Sequence, residues 1–566
     1  MFRRTGCTFL CLLLFGFFGS VSAQAEEPWI EVRSPHFCVL TNGNKSDARE
    51  VAYEFEQMRY LFSTQFPSFR LDSGAPLTIF AARDERTAKQ LVPVLKKMKT
   101  GSNMAGMFLH GWEKQYVMLR LDQTGLNSRE IVYHEYTHSI LHLNSHWLPT
   151  WLDEGMAEFY GYTRFEQNKI EIGAPTVRVG SLQDTTIPIA DLMSSEKVHE
   201  FYRDADRMEM FYAESWALVH YLIFGPGMEG GAKLDQFFAL VQQDTDQKKA
   251  FQQVFGSIEA IDKALGPYMR SLAFHAAVLH TAPEIDKKNF IVTKLTMAQT
   301  EAELAGFHLW NHDLVDAAPL IEQALKDDPK LGLAHEEKGF LLFAQGQDAA
   351  ADEFSQAYAL DGTLYLSLFA KTMLSTMASS HAPADEAALH DALLKVTALN
   401  PQFAPAYVQM ARLAVRQGDL QRAFGLSRRA EELEPSRAGY HLLTGQILLR
   451  EGKDAEAAQF AEYVAKHWPP PDHNEAVELW NAVPATQRPK GETMTEEFPA
   501  DSQVAEGIVK STTCDAGAKQ PWTLVLGDRG KELTFHRQHM LGGGFSDTLW
   551  WGEDHFNICR HLVGLR

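Results

Sequence analysis

The chain has 566 residues, of which 45% are apolar and 22% are charged, with 73 acidic and 53 basic residues and a formal net charge of −20. This is an ordinary globular composition, which excludes wholesale disorder. The sequence has no basic excess to neutralise phosphates, so the charge balance argues against a nucleic-acid partner. The length is enough for about three domains.

The first 25 residues are predicted to be an export signal. Two arginines near the start precede an apolar stretch from Cys7 to Gly19, which is too short for a stable membrane span. Small residues at positions 21–25 offer alternative cleavage sites, so the mature chain is expected to begin near Glu26. No later segment has about 18 uninterrupted apolar residues. We therefore expect a periplasmic or secreted protein without a stable membrane span.

Export changes the expected chemistry of the cysteines. Cys38, Cys514 and Cys559 remain after the signal is removed. Cys514 and Cys559 lie in the same last segment, which makes them the favoured disulfide pair in an oxidising compartment. Cys38 lies in an apolar stretch, where a free buried thiol is expected.

Strand and helix patterns alternate between residues 29 and 125, which predicts an α+β opening. Strands are predicted at 29–40 as a pair, at 77–80, and at 107–109 and 116–120 as a hairpin. Helices are predicted at 47–65 and 84–97, the second kinked or split by Pro93.

Two helices are predicted directly after residue 125. The first runs from about Ser128 to Leu143, with Asn127 or Ser128 as its cap, and the second begins after Pro149. A mainly helical lobe should follow, with a strand at 169–172 and helices at 151–160, 208–223, 233–254 and 258–276.

The first of these helices carries the pattern HExxH from His134 to His138. Residues four apart lie on one helix face, so both imidazoles can reach one metal ion. Glu154 follows as a carboxylate ligand, and the fourth position is left to water, as in catalytic zinc sites. We therefore predict a Zn2+ cofactor held by His134, His138 and Glu154, with Glu135 as the general base.

Other histidines leave alternatives open. His142 and His146 follow the motif and are alternate ligands, supports for a ligand, or solvated side chains. A metzincin site would need a glycine and a third histidine soon after His138, but Leu141 and Asn144 stand there. Histidines near the C-terminus belong either to a second metal site or to the surface of a β domain; these are His536, His539, His555 and His561.

From about residue 300 the sequence repeats with a period of 34 residues, as between Pro401, Pro435 and Pro469. This is the period of tetratricopeptide repeats, which place two antiparallel helices in each unit. The interval from Pro329 to Pro401 exceeds two periods, so one unit there carries an insertion. We expect four or five repeats within 295–480.

The last part of the chain changes pattern. Residues 481–502 are polar and contain prolines, which indicates a linker. Period-two patterns at 522–526 and 532–535 flank a turn sequence and predict a hairpin within a small β domain at 503–566.

The motif followed by Trp151-Leu152-Asp153-Glu154-Gly155 resembles the gluzincins, the thermolysin-like and alanyl-aminopeptidase-like zinc metallopeptidases. This resemblance covers roughly residues 28–280 and implies a gluzincin-like domain that hydrolyses peptide bonds. It implies that Glu158 supports a ligand histidine, and we expect Asp153 to be a second supporting carboxylate. It also nominates Tyr212 to stabilise the oxyanion, with Tyr202 and Tyr221 as rivals.

The chain departs from the gluzincin pattern in two ways. Fifteen residues separate His138 from Glu154, fewer than in the named branches. No good match to the aminopeptidase exopeptidase motif precedes the zinc helix, and Gly106-Met107-Phe108 is only a weak candidate for a substrate-pairing strand. Endopeptidase and aminopeptidase activity therefore stay equally open.

The expected protein is an exported zinc peptidase with a catalytic domain at 26–285 and repeats that dock a protein partner or guide a peptide substrate. This architecture is similar to that of other exported bacterial proteins. The alternative is a catalytically inactive metallopeptidase-like protein that acts as a tetratricopeptide scaffold, although the intact Glu135 counts against it. Hydrolysis of a non-peptide amide also stays open.

Overall fold

The computed structural model describes fourteen stretches of the chain: 28–92, 106–111, 113–123, 129–166, 169–176, 178, 187–270, 274–281, 283–378, 383–489, 493–497, 508–514, 522–528 and 531–537. The expected export signal and Cys559 lie outside these residues, and the side chain of Cys514 is not described either, so the expected disulfide stays a prediction. Within the described stretches, no helix is long and apolar enough to cross a membrane.

The strands in chain order are β1 (Ile30–Arg33), β2 (Cys38–Thr41), β3 (Leu77–Ala82), β4 (Gly106–Leu109), β5 (Gln115–Arg120), β6 (Arg164–Glu166), β7 (Lys169–Ile172), β8 (Ala277–Leu279), β9 (Ile291–Lys294), β10 (Ile508–Cys514), β11 (Trp522–Asp528) and β12 (Lys531–Arg537).

The helices of the first half are α1 (Lys45–Gln65), α2 (Glu85–Leu91), α3 (Glu130–Asn144), α4 (Thr150–Gly161), α5 (Ile189–Leu192), α6 (Ser195–Phe201), α7 (Ala205–Phe224), α8 (Ala232–Gln242), α9 (Gln247–Phe255) and α10 (Ile258–Arg270). The helices of the second half are α11 (Met297–Trp310), α12 (Leu314–Asp327), α13 (Gly332–Ala344), α14 (Ala350–Leu360), α15 (Tyr365–Ala378), α16 (Pro383–Leu399), α17 (Ala404–Arg416), α18 (Leu420–Leu433), α19 (Ala438–Arg450), α20 (Asp454–His467) and α21 (Asp472–Ala482).

The first half is built on a six-stranded mixed sheet with the order β4-β5-β3-β2-β1-β9. Strands β2, β3 and β5 run parallel, whereas β4, β1 and β9 pair antiparallel with their neighbours. The predicted strand pair near residue 30 and the hairpin of β4 and β5 are both present. The outer strand β9 comes from residues beyond the expected end of the first domain at 285.

Side chains on the two faces of this sheet enter different cores. In β3, Ile79 packs with α1 and α3, while the neighbouring Phe80 packs with the second half of the chain. In β5, Val117 and Met118 divide in the same way. Successive residues of a strand point to opposite faces, so the apolar run of each strand is explained by burial on both sides.

The repeat region forms five successive helix pairs from α11 to α20, followed by the single helix α21. The expected insertion falls in the third pair, where α16 has 17 residues while its counterparts α12 and α18 each have 14. Part of the expected linker is ordered against α21, because the Asn474 side chain is hydrogen-bonded to the backbone of Glu497 in both directions.

Two helix predictions between these regions were too long. The single helix expected at 233–254 is divided into α8 and α9, because Asp244 adopts the left-handed conformation with φ of 59°. The helix expected to reach residue 276 ends at Arg270, residues 274–276 are not helical, and 277–279 form β8, which pairs with the predicted strand β7. At the C-terminus, β11 and β12 form the predicted hairpin, with Asp528 opposite Lys531.

The repeats and the first domain are joined by a buried charge cluster. Lys114, just before β5, donates hydrogen bonds to Glu336 (2.8 Å) and Glu337 (2.7 Å) of α13. The ammonium group also lies over the rings of Trp310 and Phe340, and the Lys114 side chain is only 10% exposed. A single lysine therefore partners two buried carboxylates of the repeat array.

Further contacts extend the junction along the array. The amide of Asn400 and the hydroxyl of Tyr365 both donate to the carbonyl oxygen of Gly74, at 2.7 and 3.2 Å. The guanidinium of Arg70 donates to the carbonyl oxygen of Leu433 at 2.6 Å. Residues from the first domain thus contact α15, the turn before α17 and the end of α18.

Replacing Lys114 with alanine should lower the free energy of unfolding by about 3–5 kcal/mol, because two buried carboxylates lose their partner. The measurement is the urea midpoint followed by tryptophan fluorescence. The matched control is Lys89→Ala, which removes a more exposed i,i+4 pair with Glu85 and should leave the urea midpoint almost unchanged. Equal effects of the two changes would contradict the proposed role of Lys114.

Candidate metal centre

Helix α3 presents the HExxH motif beside the sheet. It begins at Glu130 rather than at Ser128, and Arg129 is its N-cap without a side-chain cap; Asn127 and Ser128 lie outside the described residues. Tyr136 and Ile140 are buried in the core below the sheet. One face of the helix is thereby fixed, and His134 and His138 remain partly exposed on another.

Helix α4 brings Glu154 to the motif. It follows Pro149 as predicted and packs along α3. Gly155, the next residue, allows α7 to approach closely, since a Cβ atom there would lie 2.5 Å from the carbonyl oxygen of Ser215. A side chain at position 155 would push apart the two helices that carry Glu154 and Tyr212.

The three predicted ligands meet at one point. Nε2 of His134 and Nε2 of His138 lie 3.1 Å apart. Oε2 of Glu154 lies 3.4 Å from the first and 3.3 Å from the second. A tetrahedral zinc ion with bonds near ~2.1 Å separates its ligand atoms by roughly 3.4 Å. The spacing of the three atoms therefore fits a single zinc ion.

The environment of Glu154 supports the same fit. Its Oε2 atom is buried and makes no hydrogen bond of acceptable geometry within the described structure. Its other oxygen, Oε1, accepts a hydrogen bond from the hydroxyl of Tyr202 at 2.7 Å. One oxygen is thus held by the protein, and the other is aimed between the two imidazoles.

Each ligand histidine is oriented through its second nitrogen. Nδ1 of His138 lies 2.9 Å from Oδ1 of Asp153, and Nδ1 of His134 lies 3.2 Å from Oε1 of Glu158. A carboxylate at Nδ1 fixes the tautomer that leaves Nε2 free to bind a metal. Both carboxylates named from the sequence are therefore in positions to orient the imidazoles.

Arg178 is a residue that the sequence analysis missed. Its guanidinium donates to Oε1 of Glu158 at 2.6 Å and lies 5.5 Å from the centre of the Tyr212 ring. It also contacts Glu130 and Glu209. No motif surrounds Arg178 in the sequence, so only the folded chain reveals that it joins α3, α4 and α7.

The three candidate tyrosines lie in different places. The Tyr202 hydroxyl contacts Glu154, and its side chain is among the exposed large residues. The Tyr212 ring lies 6.2 Å from the His134 ring and 5.5 Å from the Arg178 guanidinium. Tyr221 is buried and packs against Tyr268. The structure therefore brings Tyr202 and Tyr212 to the centre but leaves Tyr221 in the core.

Electrostatics at this centre favour positive charge. Burial opposes ionisation of Glu154, but the adjacent His134 and His138 hold its pKa down to about 2. Burial likewise opposes protonation of His134, yet Glu154 and Glu158 raise its pKa to about 9. The carboxylates thus stabilise a cation beside them, whether a proton or a metal ion.

The other histidines near the motif do not join the three ligand atoms. Nε2 of His142 lies 2.8 Å from Oδ2 of Asp153, so His142 shares that carboxylate with His138. His146 faces the repeats, with its ring 5.3 Å from that of His441. The C-terminal histidines that were candidates for a second metal site lie outside the described side chains.

The one free thiol in the described part of the chain is Cys38 on β2. It is half-buried rather than fully buried, and its sulfur lies 3.7 Å from a carboxylate oxygen of Glu31. Burial raises the pKa of this thiol well above its usual range. The environment of Cys38 therefore favours the protonated thiol.

Comparison with solved structures returns matches at low similarity. The Pseudomonas aeruginosa protein pilF is 15% identical, with 32% of this chain and 83% of that chain covered and a TM-score of 0.29. The MamA protein is 17% identical, with 32% and 92% covered and a TM-score of 0.25. TTC0263, a TPR protein of Thermus thermophilus, is 17% identical, with 33% and 98% covered and a TM-score of 0.27. No argument rests on scores this low.

Comparison with curated proteins finds no match. Among family models, that of the tetratricopeptide repeat matches residues 408–470, which comprise most of α17 through α20. The matched segment lies outside the residues that form the candidate metal centre. This part of the chain is thus a tetratricopeptide repeat, as the 34-residue period predicted.

Proposed function

We propose that this protein is an exported zinc-dependent hydrolase that cleaves peptide bonds. The observation that carries the proposal is the convergence of His134, His138 and Glu154, whose ligand atoms lie 3.1–3.4 Å apart. A structural zinc site is closed by four protein ligands, whereas three such ligands leave a position for water. The export signal expected at residues 1–25 motivates the assigned compartment.

The side chains around the centre have separate tasks in this reaction. A bound zinc ion would supply a Lewis acid and lower the pKa of a water molecule. Glu135, adjacent to His134 on α3, takes the proton from that water and passes it to the leaving amine. Asp153 and Glu158 hold the imidazoles in orientation. Tyr212 beside His134 is the candidate donor to the oxyanion.

The metal should bind stoichiometrically to the mature chain. We expect about one zinc per molecule by elemental analysis, and loss of most of that zinc in His134→Ala, because one of three protein ligands is removed. Asp153→Asn should weaken zinc affinity by about 10–100-fold through loss of orientation at His138. His146→Ala is the control and should retain zinc, since His146 faces the repeats. Zinc loss in the control and retention in His134→Ala would refute the ligand set.

Replacing Glu135 with glutamine should leave the zinc content unchanged and lower peptide cleavage by about 10²–10⁴-fold, because only the proton acceptor is lost. Cleavage is measured by mass spectrometry on a diverse peptide library, with and without a chelator. Chelator-sensitive cleavage that survives in Glu135→Gln would show that another group is the base.

A second candidate function is that of a catalytically inactive scaffold, and the family match at residues 408–470 favours it. Tetratricopeptide arrays present extended concave surfaces to proteins and peptides. One measurement, made with and without chelator, distinguishes the two candidate functions. A scaffold would bind its partner equally well with and without chelator and would cleave no peptide in the library, whereas the proposed hydrolase cleaves only with metal.

A further inference from the structure

The two carboxylate oxygens of Glu154 lie in different surroundings. Oε2 lies 3.4 Å from Nε2 of His134 and 3.3 Å from Nε2 of His138, a spacing that fits one shared metal ion. Oε1 instead accepts a hydrogen bond of 2.7 Å from the hydroxyl of Tyr202. Oε2 therefore faces the metal position, whereas Oε1 already has a donor.

The backbone that carries Tyr202 is fixed between two helices. Tyr202 directly follows α6, and its N–H donates to the carbonyl oxygen of Val198 at 3.1 Å. The N–H of Asp204 then donates to the carbonyl oxygen of Phe201 at 3.2 Å. The side chain of Asp204 in turn caps the start of α7. The position of Tyr202 is thus set by the end of one helix and the start of the next.

Aromatic contacts support the Tyr202 side chain. Its ring lies 5.9 Å from the ring of Phe211 and 6.3 Å from the ring of Tyr212, both on α7. Phe211 is fully buried in the core of the first domain. Although 41% of Tyr202 is exposed, its ring therefore rests on a buried neighbour while its hydroxyl reaches Glu154.

A tyrosine hydroxyl is suited to hold one carboxylate oxygen away from a metal ion. A phenol keeps its proton at neutral pH and donates it to a carboxylate in a short, charge-assisted hydrogen bond, which the observed 2.7 Å fits. The donor is also neutral, so it adds no positive charge beside a metal ion. A carboxylate can bind a metal through one oxygen or through both. Binding through both would occupy the position that a catalytic zinc site leaves to water.

We propose that Tyr202 is a positioning residue that restrains Glu154 to bind zinc through Oε2 alone, and that it thereby preserves the coordination position for water. The proposal rests on the zinc centre of the proposed function. It gives Tyr202 a role distinct from that of Tyr212 and does not require Tyr202 to contact the substrate.

The first experiment compares zinc coordination in the full mature chain and in Tyr202→Phe, which removes only the hydroxyl. X-ray absorption at the zinc edge should give about four ligand atoms in the wild type and about five in the variant, because Oε1 becomes free to bind. Both proteins should contain about one zinc per molecule. An unchanged coordination number in Tyr202→Phe, or loss of most of its zinc, would overturn the proposal.

Two further tyrosine variants serve as controls. Tyr221→Phe removes the same hydroxyl from a buried tyrosine that packs against Tyr268, away from the metal centre. Tyr212→Phe tests whether Tyr202 acts only through its aromatic neighbour. Both variants should keep the wild-type coordination number. An equal change in Tyr212→Phe and Tyr202→Phe would contradict a specific role of the hydrogen bond to Glu154.

Cobalt substitution gives a second readout of the same property. Zinc has a filled d shell and therefore gives no visible absorption, so Co2+ takes its place. Four-coordinate Co2+ absorbs visible light more strongly than five-coordinate Co2+. The absorption per bound ion should therefore fall in Tyr202→Phe and stay unchanged in Tyr221→Phe. Because the lost hydroxyl belongs to a partly exposed side chain, the melting temperature of metal-free Tyr202→Phe should match that of the wild type.

These measurements use no peptide, which separates the inference from the proposed activity. If the wild-type chain binds zinc but cleaves no library peptide, the coordination of Tyr202→Phe still decides the role of the hydroxyl. If the wild-type chain binds no zinc, the ligand set itself is wrong, and the inference falls with it.

Discussion

The central strands β3 and β5 bury side chains on both faces, and this two-sided burial holds the molecule together. Ile79 and Val117 pack toward helix α3, which carries the HExxH motif, while Phe80 and Met118 pack toward the repeats. Fully burying such side chains contributes roughly 1.5–3 kcal/mol each. The sheet therefore fixes the candidate metal centre and the repeat array relative to one another.

Much of the fold could be predicted because each pattern had a local cause. The apolar spacing of α1, the hairpin of β4 and β5, and the 34-residue period all follow from contacts within one element or between neighbours. The division of α8 from α9 was missed although the local sequence marks it, because aspartate tolerates the left-handed conformation that Asp244 adopts and Asp246 is the N-cap of α9. The role of Lys114 was hidden, since its partners lie more than 200 residues away.

The residues of the candidate metal centre also fall into two groups: some could be predicted from the local sequence, and others could not. His134, His138 and Glu154 could be named because one helical turn and one short segment supply them. Asp153 and Glu158 could be named because they flank or follow Glu154 on the same helix. Arg178 and the contact between Tyr202 and Glu154 could not be foreseen, since Arg178 lies before α5, Tyr202 directly follows α6, and both reach α4 only in the folded chain. Supports from distant segments become visible only after folding.

The pairing of β1 with β9 has a consequence for how the chain reaches its native state. Ile30 lies opposite Lys294, and the backbone N–H of Trp29 donates to the Thr300 side chain 271 residues later. During synthesis, β1 cannot gain its outer neighbour until more than half of the 566 residues have been made. Contacts of such long sequence separation slow folding, so the edge at β1 stays available for incorrect pairing throughout that interval.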